Sequence, residues 1–287
     1  MLKIFSVKNF KNFKDKIILD FTASNYGYNE SSIFKNDNIV KTAIVLGKNA
    51  SGKSNLLIAI FDLISNITEF ESGFFRYNQF LNLNSKEQVA EFEYEFVFGD
   101  DVVKYSYGKK DKVSIVFEVI TINDMEVAHI DRRNSGAAKF RFNEAVESVE
   151  ITDNVFLCKY LENRLNNDGS NELINCYFKF VDFVKSMLYF RSLGANNYIG
   201  LIPSEYGDLF ERIIKIDNND LTKFQNFLSN LGINYDLELI EQGNKSTIGV
   251  KFERGVVPLT DVASTGTSTL SLFYHWFTQI GKVKFLA

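Results

Sequence analysis

Residues 39–63 read IVKTAIVLGKNASGKSNLLIAIFDL. Within this stretch Gly47, Gly52, Lys53 and Ser54 meet the spacing G-x-x-x-x-G-K-[ST] of a phosphate-binding loop. Glycines allow the backbone to curl until successive N–H groups point at one phosphate. A helix starting immediately afterwards adds its positive N-terminal end. A lysine at position 53 reaches the β- and γ-phosphates, and the Ser54 hydroxyl joins the shell of a Mg²⁺ ion. The flanks fit this reading. Ile39 to Leu46 is a short apolar run with the length and content of a buried strand, and Leu56, Ile60 and Leu63 recur at helical spacing. Strand, glycine-rich loop and helix predict an α/β fold of the P-loop class that binds ATP and Mg²⁺.

Outward from the loop, residues 2–8 and 16–21 read as strands and 22–37, rich in Asn, Ser, Tyr and Gly, as a loop. From about Glu91 to Phe142 the apolar period is 2, with Gly99-Asp100-Asp101 as a turn, which predicts an antiparallel sheet region inserted after the first helix. From about Asn154 the period returns to 3.6, predicting helices at about 154–165, 171–190, 204–216 and 219–230. A hairpin follows at 235–241 and 246–253 around Gly243-Asn244, then a helix from about Thr267 to Ile280 and an apolar strand, KVKFLA. The domain reading is a P-loop core at 1–75, an inserted antiparallel β subdomain at 76–150, and a helical lobe at 151–287.

Composition bounds the partners. The 28 phenylalanines can build a large aromatic core, and a net charge of −4 gives no global drive toward nucleic acid or anionic membrane. No apolar run approaches the ~18 residues of a membrane span, and MLKIFSVKNF has no signal-peptide core, so a cytoplasmic protein without membrane attachment is expected. Cys158 and Cys176 lack metal-ligand spacing and read as reduced, buried thiols.

The loop in full, G-K-N-A-S-G-K-S-N, carries Asn49, Ala50, Ser51 and Asn55 around the core motif, and the N-terminus reads V-K-N-F-K-N-F-K-D. Together these resemble the ABC-type ATPase heads of chromosome-maintenance and recombination-repair proteins. Along most of the chain the sequence is similar to bacterial AAA-family ATP-binding proteins of abortive-infection and phage-defence loci. These share the N-F-x-x-F-K-D start, a G-x-N-A-S-G-K-S-N loop, a stretch like Phe92 to Phe96, a strand like Tyr105 to Gly108 and an S-x-G-T signature. The resemblance implies that Lys11 and Asn12 lie near the nucleotide. It implies that Ser264, Thr265, Gly266 and Thr267 face the γ-phosphate held by a second subunit, in a homodimer or higher oligomer closed around ATP. It further implies an ATPase that controls an effector protein, such as a nuclease or toxin. A DNA-clamping repair-type head and a non-hydrolysing ATP-responsive scaffold are the alternatives; short helices without heptad-patterned arms between the two motifs weigh against the first.

In the resembling families the last apolar strand runs on into an acidic pair that binds Mg²⁺ and activates water. Here KVKFLA closes the sequence. The catalytic carboxylate is therefore expected beyond Ala287, the head is expected to be C-terminally truncated, and these residues are expected to bind ATP but hydrolyse it poorly. Asp261, Glu205, Glu211 and Asp220 cannot be assigned that role. Gln79 is a candidate metal- and water-contacting glutamine, although a surface position is the better reading. His129 and His275 read as strand and helix residues. Lys104, Lys109, Lys110, Lys112, Arg132, Arg133, Lys139 and Arg141 could contact nucleic-acid phosphates, yet interleaved acids make them a mixed solvated face.

Overall fold

The period-2 alternation of residues 91–142 is realised in an eight-stranded antiparallel sheet, which also takes in the N-terminus. The computed structural model describes residues 1–24, 30–68, 79–143, 145–152, 155–192, 197–200, 218–242 and 245–287. The sheet is built from β1 (Leu2–Lys8), β2 (Ile17–Asp20), β5 (Ala90–Phe98), β6 (Asp101–Lys109), β7 (Ile115–Ile122), β8 (Met125–Asp131), β9 (Ser135–Phe140) and β10 (Glu147–Glu150). Their order is β10-β9-β8-β7-β6-β5-β1-β2. β5 to β10 form a meander, and β5 then pairs with β1, placing Phe5 opposite Tyr94 and Val7 opposite Phe92. The β7–β8 hairpin turns on Asn123 and Asp124, both at positive φ (49° and 61°), as a two-residue type I′ connection requires.

Alternation gives the sheet two different faces. Phe92, Tyr94 and Phe96 of β5 point to the core, while Glu93 and Glu95 point outward and pair with Lys16 and Lys3 at 2.6 and 2.9 Å. The inner face is covered by α1 (Lys53–Phe61), α2 (Leu63–Ile67), α3 (Leu157–Arg164) and α4 (Glu172–Lys185). α4 is capped by Asn171, whose side chain accepts from the N–H groups of Leu173 and Ile174. Its Phe180 and Phe183 meet Phe96 at ring distances of 5.1 and 5.5 Å. Truncating Phe180 to Ala would cost about 3–5 kcal/mol in such a packed site. Beside this layer, β11 (Met187–Ser192) pairs in parallel with β16 (Phe285–Leu286), and β12 (Asn197–Gly200) joins its other edge.

The chain divides into two units. One comprises Met1–Tyr189, Ile199–Leu201 and Lys284–Ala287, the other Phe190–Tyr198 and Ile202–Val283. The second is built on the antiparallel strands β13 (Leu237–Gln242), β14 (Lys245–Phe252) and β15 (Gly255–Pro258), with α5 (Asn218–Asn230), α6 (Leu259–Val262) and α7 (Thr265–Gln279). Its core joins Leu221, Phe224 and Leu228 of α5 to Leu237, Ile248 and Val250 of the sheet and to Tyr274 of α7. Among the described residues no helix is long and apolar enough to cross a membrane.

Several expectations are corrected. The stretch at 76–150 is no separate subdomain, because β5 bonds directly to β1 and the two share one core. Nor is 151–287 one helical lobe: α3 and α4 belong to the first unit, and the second is a sheet with helices. The helix expected at 171–190 stops at Lys185, since the apolar MLYFRS that follows is a strand, and periodicity does not separate a short buried strand from a buried helix end. The expected buried strand 39–46 is a strand only at β4 (Ile39–Val40), paired with β3 (Ile33–Phe34) inside the supposed loop. Ile44 and Leu46 are 79% and 86% exposed, so apolar content alone did not make a strand where no described strand lies alongside. The helix expected at 204–216 and the turn at Gly243-Asn244 lie outside the described residues.

Candidate functional site

The loop Gly47–Ser54 curls into α1 through two residues at positive φ, Ala50 (63°) and Gly52 (98°). Gly52 occupies the N-cap position in the left-handed region, where a side chain would be strained. A Cβ there would also lie 2.1 Å from Asn12 Nδ2, so the Asn12 side chain would have to move away from the loop. With glycine at the cap, α1 begins without any side-chain cap, and its first N–H groups are left to whatever approaches them. The Lys53 ammonium reaches back over the loop and donates to the carbonyls of Gly47 and Lys48, both at 2.8 Å. Asn49, Ala50 and Ser51 are exposed, as is Ser54 in the first turn of α1.

The turn after β1 meets this loop. Asn12 Oδ1 accepts from Asn55 Nδ2 at 2.7 Å, and Asn12 Nδ2 donates to the Ser51 carbonyl at 3.4 Å. The turn is anchored from behind. Phe10 is fully buried, with ring contacts to Phe80 at 5.0 Å and Phe92 at 5.3 Å. The Lys11 N–H donates to the Phe80 carbonyl, and the Lys11 carbonyl accepts from Asn82 Nδ2. Lys11 Nζ donates to the Gln79 carbonyl at 3.3 Å, and burial lowers its pKa to about 8. The expected residues Lys11, Asn12 and Gln79 thus join Ser51, Gly52 and Asn55 in one junction. The Gln79 residue itself is exposed there.

The far end of α1 carries a feature that the sequence reading missed. Asp62, directly after the helix, is buried and accepts from Lys109 Nζ at 2.7 Å and Tyr107 OH at 2.9 Å. Tyr94 OH lies 3.2 Å from Tyr107 OH and donates to the Ala59 carbonyl of α1. A neighbouring chain runs from Asn66 through Tyr105 OH to Glu118, which also accepts from the Leu157 N–H at the start of α3. Burial drives the Glu118 carboxyl above its ordinary value and the three phenols well above theirs. Lys109 therefore does not belong to a basic surface; it is fully buried. A signal existed, because Val103, Tyr105, Tyr107 and Lys109 hold one face of β6 by alternation.

The predicted signature lies in the second unit. Ser264 caps α7, its hydroxyl accepting from the Thr267 N–H at 3.1 Å and lying 3.0 Å from Thr267 Oγ1. Thr265 opens the helix, two residues earlier than expected. Among the described residues, a Cβ on Gly266 would find only Ser264 Oγ, at 3.7 Å. Local packing therefore does not demand the glycine, although it costs a helix interior ~1 kcal/mol relative to alanine.

No protein-family model matches the chain, and no curated protein matches it. Several of the remaining candidates have ordinary structural partners. Lys104 pairs with Asp124 and Arg133 with Asp131, while Arg132 donates to the Val155 carbonyl. His129 pairs with Glu126, and the His275 ring sits edge-on to Trp276. Asp220 pairs with Lys223, and Asp261 accepts from Thr260. Cys158 and Cys176 are free and buried. Glu205 and Glu211 lie outside the described residues.

Proposed function

We propose that the chain binds ATP with Mg²⁺ at the Gly47–Ser54 loop, as the head of a P-loop NTPase of the ABC type. The observation that carries this reading is the Lys53 ammonium, held across the loop mouth by two backbone carbonyls beside a helix start with no side-chain cap. Such an ammonium can exchange carbonyl partners for phosphate oxygens, which bind a cation more strongly. The donor set fits a triphosphate: backbone N–H groups, one lysine and one exposed hydroxyl on Ser54. Mg²⁺ when bound would neutralise phosphate charge, and positioning with electrostatic stabilisation makes up most of phosphoryl-transfer catalysis. The chain's own contribution is to orient the phosphates through the loop and to hold Lys53 and Ser54 at the first turn of α1.

The proposal extends to ATP-driven pairing of two heads through Ser264 and Gly266. A glycine that costs helix stability and has no steric role among the described residues suits a surface approached closely by another molecule. Hydrolysis, control of an effector and a role in bacterial antiphage defence rest on the motif resemblance alone. Titration of the chain with Mg-ATP tests the core of the proposal: saturable binding lost in Lys53→Ala is expected, and equal curves for variant and parent would remove it. Sedimentation with and without Mg-ATP tests the pairing.

A further inference from the structure

We infer that Asn12 is a positioning residue for the phosphate loop, acting through Asn55 and Ser51 to hold the loop in its curled form before any ligand arrives. The inference rests on the nucleotide site proposed above. Three observations carry it. The Asn12 carboxamide is engaged at both ends, with Oδ1 accepting from Asn55 Nδ2 at 2.7 Å and Nδ2 donating to the Ser51 carbonyl at 3.4 Å. It lies against Gly52, so closely that a Cβ there would fall 2.1 Å from Nδ2. Its backbone is immobilised by neighbours distant in sequence: Phe10 is buried, the Lys11 N–H and carbonyl bond to Phe80 and Asn82, and Asn9 Nδ2 donates to the carbonyls of Glu87 and Val89.

An exposed glycine-rich loop has many accessible conformations, and each must be given up when a phosphate is bound. A side chain fixed to the sheet that grips the loop at Ser51 and Asn55 removes part of that cost in advance, which raises affinity without touching the ligand. Gly52 then serves the loop twice: it takes the left-handed backbone without strain, and it leaves the Asn12 carboxamide in place where a Cβ would push it aside.

The test uses the whole 287-residue chain with Mg-ATP as the probe, in Asn12→Ala, Asn55→Ala and the double variant. Each single change should weaken binding about fivefold, the scale of one ordinary hydrogen bond, and the double variant should bind no more weakly than the poorer single one. In the ligand-free chain, ¹⁵N order parameters of residues 47–55 should fall in all three variants, while the thermal midpoint stays within about 2 °C of the parent. Additive losses near 25-fold, or unchanged loop order parameters, would overturn the positioning role and leave Asn12 as a direct ligand contact or a bystander. A parent that fails to bind Mg-ATP would instead defeat the nucleotide reading, and the order parameters would still decide whether Asn12 holds the loop.

Discussion

Helices α1 and α7 are built in opposite senses. α1 starts on a bare glycine cap, with a lysine folded over the loop, and ends beside Asp62, a buried carboxylate paired with a buried ammonium. α7 starts on Ser264, whose own hydroxyl satisfies one of the first N–H groups, and its later turns expose Phe273 and Phe277. The difference shows where each helix is committed. The fixed end of α1 is its far end, locked into the sheet, so its near end can lack a side-chain cap without loosening the fold. α7 secures its near end from within, and among the described residues a Cβ on Gly266 in its first turn would meet only Ser264 Oγ.

The largest expected effect lies at the locked end of α1. Asp62→Ala leaves Lys109 buried without its counter-charge and should cost about 3–5 kcal/mol in urea unfolding. Replacing both partners, by Asp62→Leu with Lys109→Met, should recover most of that loss, because the uncompensated charge goes with them. At the open end, Lys53→Ala should weaken Mg-ATP binding by about 2 kcal/mol, as for a lost charge-assisted contact, with unfolding unchanged within about 0.5 kcal/mol. If Lys53→Ala destabilised the fold as strongly as Asp62→Ala, the contrast between the two ends would collapse.

At the start of α7 the effects are smaller and opposite in sign. Ser264→Ala should destabilise the second unit by about 1 kcal/mol through the lost cap. Gly266→Ala should stabilise it by about 0.5–1 kcal/mol, yet reduce nucleotide-driven association in sedimentation. Stabilisation with association intact would make that glycine incidental.

The smallest effect belongs to Lys11. Burial disfavours its ammonium and lowers the pKa from 10.5 to about 8. Between these values the unfolded chain holds a proton that the folded chain has released, so stability rises with pH across that window. A polyphosphate beside Lys11 favours the ammonium, so Mg-ATP affinity should fall about threefold from about pH 7 to 9, and Lys11→Met should flatten the profile. An unchanged profile in the variant would place Lys11 away from the ligand.

Much of the sheet was legible because alternation is a local signal: each strand between Glu91 and Phe142 states its own inward face. The membership of β1 was not legible. Its seven residues name a strand but not a partner, and the pairing of Val7 with Phe92 joins residues about 85 positions apart in the chain. The strand expected at 39–46 failed for the same reason. Val45 and Leu46 are apolar enough for a core, yet a strand exists only where another offers N–H and C=O groups.

By itself the sequence determined the glycine spacing of the loop before α1, the existence of α7 and the two-face pattern of the sheet, all set within a few neighbouring residues by backbone sterics and side-chain period. Only the tertiary structure decided which polar residues were buried and what they met. Lys109 is fully buried because β6 aims it at Asp62, 47 residues earlier in the chain, and Asn12 bonds to the Gly47–Ser54 loop from a turn that Phe10 and Asn82 fix. Charge and hydrogen-bonding capacity are properties of a residue, but the cost of burying them is set by partners that only the folded chain brings within reach.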